Sequence, residues 1–325
     1  MNKSKENLGR VGVLMGGCSS EKGISLKSGH AVYQALKDKG CDAVEINITD
    51  EDEAAVLSVI EQAGIDVAFI ALHGRFGEDG GLQALLDKIG MPYTGSGAQA
   101  SKVAFNKKLS QQVFEKQRLP IPEFLIISSK ADNPEVLIKK KFGGRPVVVK
   151  PTEEGSSIGV TIVKDKKHLA EALNLAWSYG DEIIVERFIK GRELTVGILD
   201  NKALPIVEIC PSREFFDFTA KYEKGSSSYQ VPAPLPDKVT LAVQEVALKA
   251  FQAVGCRDFG RVDVMLDADY SPYLLEINNI PGFTATSLLP KAAAQAGIDF
   301  AELCIKLIQL AYGKKKRQNN TTLSR

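Results

Sequence analysis

GRVDVMLDADYSPYLLEINNIPGFTATS, residues Gly260–Ser287, holds two β-prone runs, Arg261–Leu266 and Tyr273–Asn278, around the turn-rich Asp267–Pro272. That arrangement predicts an antiparallel hairpin. In a symmetric hairpin Asp263 stands opposite Glu276, and since side chains alternate faces, Arg261 and Asn278 share theirs. Two carboxylates placed face to face repel and weaken a bare sheet. A divalent cation reverses that sign. Two carboxylates and an amide oxygen make a hard, all-oxygen donor set, suited to Mg²⁺ carried in on substrate phosphates. A plain solvated hairpin face is the alternative. Against it, the opposite face (Val262, Val264, Leu275, Ile277) is filled with apolar groups, while the polar face holds only groups that bind metals or anions.

The bulk composition bounds the rest. A chain of 325 residues has room for about two or three domains with real cores. Hydrophobic content of 44% and charged content of 25% are ordinary for a globular protein. A net charge of +1 gives no support to nucleic acid as the main partner. The five cysteines are scattered without a CxxC, which argues against a disulfide framework and a structural zinc site and for reduced thiols. No apolar run approaches the ~18 residues of a membrane span. Val11–Cys18 (VGVLMGGC) superficially resembles a lipoprotein cleavage box, but its apolar run is shorter than the ~7–15 residues of a signal core. A cytoplasmic protein without membrane partners is expected.

In chain order, Arg10–Met15 reads as a strand ending at Gly16–Gly17, followed by a helix from Ser20 to Lys39. A strand (Ala43–Ile48), a helix (Glu53–Gln62) and an apolar strand (Val67–Leu72) come next. This alternation predicts a doubly wound parallel sheet, whose ligands sit beyond the carboxyl ends of the strands. Those ends carry Gly16, Gly17 and Glu21, then His73–Gly81 (HGRFGEDGG). Glu21 either favours a helix N-terminus or awaits a substrate ammonium. His73 reads as a turn or hydrogen-bonding residue, since no partner has metal-site spacing.

A helix from Ala98 to Gln117 opens a second unit, and Pro146–Lys150 (PVVVK) is a buried strand delivering a lysine at its end. The Glu153–Gly159 loop (EEGSSIG) precedes another β-run, Val160–Val163. Such a loop is either a plain turn or a cradle of N–H groups and hydroxyls over phosphate; Lys150 beside it favours phosphate. It is not a P-loop, because GxxxxGK[ST] is absent. Ile183–Ile189, Glu193–Leu199 and Leu204–Cys210 read as strands, Phe218–Gln230 as a long loop, Thr240–Val254 and Phe300–Tyr312 as helices. The tail Lys314–Arg325 is basic and expected to fray.

Several blocks then match a family together and in order: GGCSSE (Gly16–Glu21), ALHGRFGEDGG (Ala71–Gly81), PYTGSG (Pro92–Gly97), VKPTEEGSSIG (Val149–Gly159), GRVDVM (Gly260–Met265) and EINNIPGFTATSLL (Glu276–Leu289). From Arg10 to Tyr312 the chain resembles the D-alanine–D-alanine ligases of the ATP-grasp superfamily. The resemblance implies an α/β, three-domain ATP-grasp fold (residues 1–97, 98–182 and 183–313, then a disordered basic tail 314–325) with ATP between the second and third domains. It implies Lys107 and Lys150 on the phosphates, Lys221 closing over the transferred phosphate, and Glu154–Gly159 as the covering loop, with Glu154, Gly155, Ser156 and Ser157 binding the nucleotide. Glu186, Arg187 and Ile189 would border adenine, and Glu193 the ribose. Asp263, Glu276 and Asn278 look like ligands of a pair of Mg²⁺, with Mn²⁺ a substitute and K⁺ a candidate accessory ion. Glu21 would hold the first D-alanine, helped by Ser156 and Tyr222, with His73 near the substrates. Arg261 and the Gly282 N–H would face the oxyanion, and Ser287 and Leu288 the second carboxylate. A homodimer is implied as well.

The departures are local: Asn279 where threonine is usual, Gly23 where an acid is common, and Arg187 where lysine is frequent. Tyrosine at position 222 goes with D-alanine as second substrate, so the expected product is D-alanyl-D-alanine. Ligation to D-lactate or D-serine is the nearest rival, and a non-catalytic nucleotide-binding module a more distant one. A nicotinamide dehydrogenase would need GxGxxG after the first strand, which Gly16–Gly17–Cys18 does not supply.

Overall fold

The computed structural model describes residues 8–129, 131–211 and 227–322. The apolar run at the start forms β1 (Val11–Gly16), buried throughout and therefore central. It lies between β2 (Ala43–Ile48) and β3 (Val67–Ile70) in a parallel three-stranded sheet, as the β/α alternation predicts. Helices α1 (Lys22–Asp38) and α2 (Glu53–Ala63) are the crossovers, and Asp52 caps α2 by accepting the Ala55 N–H at 3.0 Å. A further helix, α3 (Gly81–Lys88), follows the glycine-rich loop.

The helix expected to run unbroken from Ala98 to Gln117 is two, α4 (Ala98–Phe105) and α5 (Lys107–Lys116). Asn106 divides them, and its side chain caps α5 by accepting the Leu109 N–H at 3.0 Å. Asparagine competes with the helix for backbone groups, so a cap forms where the chain can turn. The turn sends the Lys107 N–H to the Thr152 carbonyl at 2.8 Å. Lys107 and Gln111, one turn apart on α5, both become buried.

A four-stranded antiparallel sheet follows, in the order β4 (Phe124–Ser128), β7 (Glu182–Arg187), β5 (Val147–Pro151), β6 (Thr161–Val163). Helices α6 (Pro134–Phe142) and α7 (Leu169–Trp177) cover one face. The strand expected to open the C-terminal unit at residue 183 thus belongs to this sheet, because Ile183 and Val185 pack with Val147 and Val149. The change of sheet falls between Arg187 and Gly191 instead.

The six-stranded sheet has the path β11 (Ser227–Gln230), β10 (Val207–Pro211), β8 (Gly191–Leu199), β12 (Phe259–Asp267), β13 (Pro272–Asn278), with β9 (Lys202–Ala203) on β8. Helix α8 (Asp237–Val254) backs it with Val243, Ala247 and Phe251. Ser227–Gln230, expected within a loop, is a strand because β10 offers it an edge, Tyr229 pairing with Ile209; residues 218–226 lie outside the described residues. Helix α9 (Leu288–Gln295) packs on β8, and α10 (Phe300–Thr322) packs on α9 and returns to lie beside α1. Helix α10 has its last residue at Thr322.

The opening hairpin has the expected register where it matters: Arg261 pairs with Asn278 and Asp263 with Glu276. Beyond that the register slips, Val264 pairing with Leu274 rather than Leu275. This is a β-bulge, two residues opposing one. Its cause is non-local: the Leu274 N–H donates to the Pro120 carbonyl at 2.9 Å, and the Leu275 carbonyl accepts from Gln111 Nε2 at 3.3 Å. Leu274 therefore fills the core and Leu275, expected there, faces a cavity instead. Leu274→Ala is expected to destabilise by about 2–5 kcal/mol in chemical denaturation, and Leu275→Ala by less than about 1 kcal/mol. The reverse ranking would contradict the bulge.

Candidate active site

Between the four- and six-stranded sheets lies a cavity of about 710 Å³. The ends of β5 and β7 bring Lys150, Glu186 and Arg187 to one wall, with Ile189 just beyond. Val148 pairs with Glu186, so Lys150, two residues on, is its diagonal neighbour. The two form a buried ion pair at 2.8 Å. Glu193, Asp263 and Glu276 from β8, β12 and β13 make the other wall.

Lys107 reaches in from α5. Its Nζ donates to the Glu154 carbonyl and stands 3.5 Å from Glu276 Oε2. Burial raises the Glu154 carboxyl above its ordinary range against the pull of Arg75 and Lys107. Of the covering loop, Glu154 and Ser157 face this cavity, whereas Gly155 and Ser156 face a second one.

That second cavity, of about 300 Å³, shares Glu276 with the first. Glu21, His73, Arg261 and Asn278 line it, and Gly282, Ser287 and Leu288 close one end. Ser156 and Ser157 adopt left-handed backbone conformations, with φ of +51° and +59°. Strain of this kind persists only where the surroundings enforce it. Here the turn aims the Ser156 hydroxyl at Glu21 Oε1, to which it donates. A Cβ at Gly155 would sit 2.7 Å from Glu21 Oε2, so the loop backbone rests directly on that carboxylate.

Asp263 is held from three sides. Arg261 Nε and Nη2 donate to its two oxygens at 2.9 Å each, Thr195 Oγ1 donates at 2.6 Å, and Asn278 Nδ2 at 3.1 Å. Among the described residues no three or more His, Cys, Asp or Glu gather as metal ligands. The hairpin set of two carboxylates and an amide is a different kind of group, and its donor chemistry fits Mg²⁺.

His73 is buried behind the second cavity. Its Nδ1 faces two acceptors, the Ile280 carbonyl at 3.1 Å and Glu78 at 3.4 Å, so Nδ1 carries a proton. With the proton on Nδ1, Nε2 is an acceptor, so Ser28 Oγ, 2.9 Å away, donates to it while accepting the Phe283 N–H at 3.1 Å. This chain ties the 280–283 segment, with Gly282, to the N-terminal sheet. Burial raises the Glu78 carboxyl above its ordinary range, and the His73 hydrogen bond opposes the shift. Asn279 sits behind, donating to the Glu78 carbonyl at 3.0 Å. Ser287 precedes α9 and accepts the Thr284 N–H at 3.0 Å.

Ser28, Glu78, Gln111 and Thr195 join the site without having been expected. Gln111 alone had a readable signal, a polar residue one helical turn from Lys107. Tyr222 and Lys221 lie outside the described residues.

Two antiparallel sheets clasping a nucleotide-sized cavity, with a Lys150–Glu186 pair on one wall and Glu193, Asp263 and Glu276 on the other, define a ligase of the ATP-grasp class. Residues 50–96 match the family described as D-ala D-ala ligase N-terminus, and residues 113–309 D-ala D-ala ligase C-terminus. The chain belongs to the D-alanine–D-alanine ligase family. A D-alanine–D-alanine ligase of Geotalea uraniireducens is 46% identical over 302 residues, covering 93% of this chain and 95% of the relative. One from Pelotomaculum thermopropionicum is 43% identical over 311 residues, 93% and 96% of the two chains. The Bacillus anthracis D-alanine–D-alanine ligase complexed with ATP superposes with a TM-score of 0.83 at 34% identity, covering 95% of this chain and 99% of that one.

Proposed function

We propose that this protein joins two D-alanines into D-alanyl-D-alanine at the expense of ATP, through a D-alanyl phosphate. The observation that carries the reading is Glu276, one carboxylate shared by a nucleotide-sized cavity and a smaller one holding Glu21 and Arg261.

A carboxylate does not react with an amine in water, because its carbon is electron-rich and oxide is a poor leaving group. Transfer of the γ-phosphoryl to the first D-alanine makes phosphate the leaving group and releases ADP. In this assignment Glu186, Arg187 and Ile189 border the base, Glu193 the ribose, and Lys107 and Lys150 the phosphates, under the Glu154–Ser157 loop and Lys221. Asp263, Glu276 and Asn278 would hold a pair of Mg²⁺, or Mn²⁺, which when bound supply fixed positive charge against the transferring phosphoryl group. Glu21, braced by Ser156 and Tyr222, takes the ammonium of the first D-alanine. Ser287, Leu288 and the start of α9 receive the second carboxylate, where a helix N-terminus favours an anion. The second amine attacks the acyl carbon, phosphate leaves, and Arg261 with the Gly282 N–H meets the oxyanion on the way. His73, through its link to Ile280, fixes the segment carrying that N–H. Potassium as accessory ion, a homodimer and a cytoplasmic location complete the proposal and rest on the family resemblance.

The test is phosphate release from ATP with each acceptor in turn. D-alanine alone is expected to give D-alanyl-D-alanine and one phosphate per product. D-alanyl-D-lactate as the main product near neutral pH would overturn the assignment made from Tyr222.

A further inference from the structure

We propose that Gln111 is a positioning residue that makes the nucleotide cavity prefer adenine over guanine, by presenting Glu186 to the base purely as a hydrogen-bond acceptor. The inference rests on the assignment of Glu186 to the base. Gln111 is fully buried on α5, and its Nε2 lies 3.3 Å from Glu186 Oε1 and 3.3 Å from the Leu275 carbonyl. Both neighbours are acceptors, so the amide must turn its nitrogen toward them, one hydrogen to each. The other Glu186 oxygen takes Lys150 at 2.8 Å. With both oxygens facing donors, Glu186 has acceptor capacity alone to offer a base.

Gln111 also spans the cleft. Glu186 belongs to the four-stranded sheet, and Leu275 is the bulged residue of β13 in the six-stranded sheet. The bulge takes the Leu275 carbonyl out of the regular ladder, and Gln111 gives it a donor. One side chain thereby sets the carboxylate against the opposite wall. Gln111 Oε1 has no hydrogen-bond partner and is buried, a condition most buried polar atoms avoid. A methionine of similar length would avoid it too. What glutamine adds over methionine is the N–H pair.

The chemistry separates the bases. Adenine carries a 6-amino donor and guanine a 6-oxo acceptor. A fixed acceptor pairs with the first and meets the second oxygen to oxygen. Freed from Gln111, Glu186 can rotate away from the base, and the distinction weakens.

The experiment compares kcat and KM for ATP and GTP in Gln111→Met, Glu186→Gln and the unaltered enzyme, with melting temperatures alongside. Gln111→Met is expected to raise KM for ATP about tenfold, as for one lost charge-assisted hydrogen bond, with kcat held within about twofold. The ATP-over-GTP ratio of kcat/KM should fall by about tenfold as well. Should that variant fail to fold, Gln111→Leu, which is smaller and also lacks the N–H pair, carries the same expectation. A Gln111 variant with an unchanged ratio, beside a Glu186→Gln enzyme whose ratio falls, overturns the inference alone. If Glu186→Gln also leaves the ratio and KM unchanged, the assignment of Glu186 to the base fails, and the inference with it.

Discussion

Glutamine in place of Glu276 is expected to cut turnover by about a thousandfold at saturating ATP and D-alanine, comparable to removing a preorganised electrostatic group at a reacting centre. Glu276 is the carboxylate common to both cavities and lies directly across the sheet from Asp263. Glutamine keeps the shape and removes the charge, so the amide can no longer serve as an anionic donor to a divalent cation. The fold should survive, because Glu276 is 27% exposed and its partner Lys107 keeps the Glu154 carbonyl. Losing this half-buried ion pair should cost more than the about 1 kcal/mol of a surface pair and less than the about 3–5 kcal/mol of a fully buried one. Phosphate release and a thermal melt, measured on one preparation, separate the two effects. Turnover near that of the unaltered enzyme would remove Glu276 from the metal set and leave the two cavities without a common chemical centre.

That pairing was legible in the sequence because the hairpin is short: alternation and one turn suffice to put Asp263 against Glu276. The parallel sheet was legible for a similar reason, since β1, α1 and β2 are neighbours in chain order. What escaped depends on partners far away along the chain. The bulge at Leu275 is set by Pro120 and Gln111, and no pattern within residues 260–287 signals either. Thr195 meets Asp263 only because β8 pairs with β12 across 68 residues. The strand Glu182–Arg187 carries the apolar content of either sheet, and its place was decided by the edges that β4 and β5 offered. The break at Asn106 is a different case. Asparagine is a good N-cap, and the signal was there to be read inside what resembled one long amphipathic helix.

The expected closeness of Arg261 to the carboxylates also emerged, with a consequence for its role. Arg261 and Asp263 lie two residues apart on β12 and so point the same way. The guanidinium grips both oxygens of Asp263 while lining the smaller cavity. Its fork is thus fixed before any substrate arrives, which is what an oxyanion donor requires, because no reorganisation is then left to the moment of reaction. Arg261→Met is expected to lower kcat by about a hundredfold to a thousandfold, with a smaller change in KM for ATP. Arg261→Lys should recover little, since an ammonium cannot make two parallel bonds to a carboxylate and still reach beyond it.

Either variant also loosens Asp263, so a second substitution must separate the causes. Thr195→Val removes the 2.6 Å hydroxyl bond to the same carboxylate while leaving the cation in place. If Arg261 acts on the oxyanion itself, Thr195→Val should lower kcat by about tenfold, the lower end of the value of one hydrogen bond to a charged group. If Arg261 merely holds Asp263 still, the two variants should fall together, and a Thr195→Val loss as deep as that of Arg261→Met would strip the guanidinium of any direct part in the chemistry.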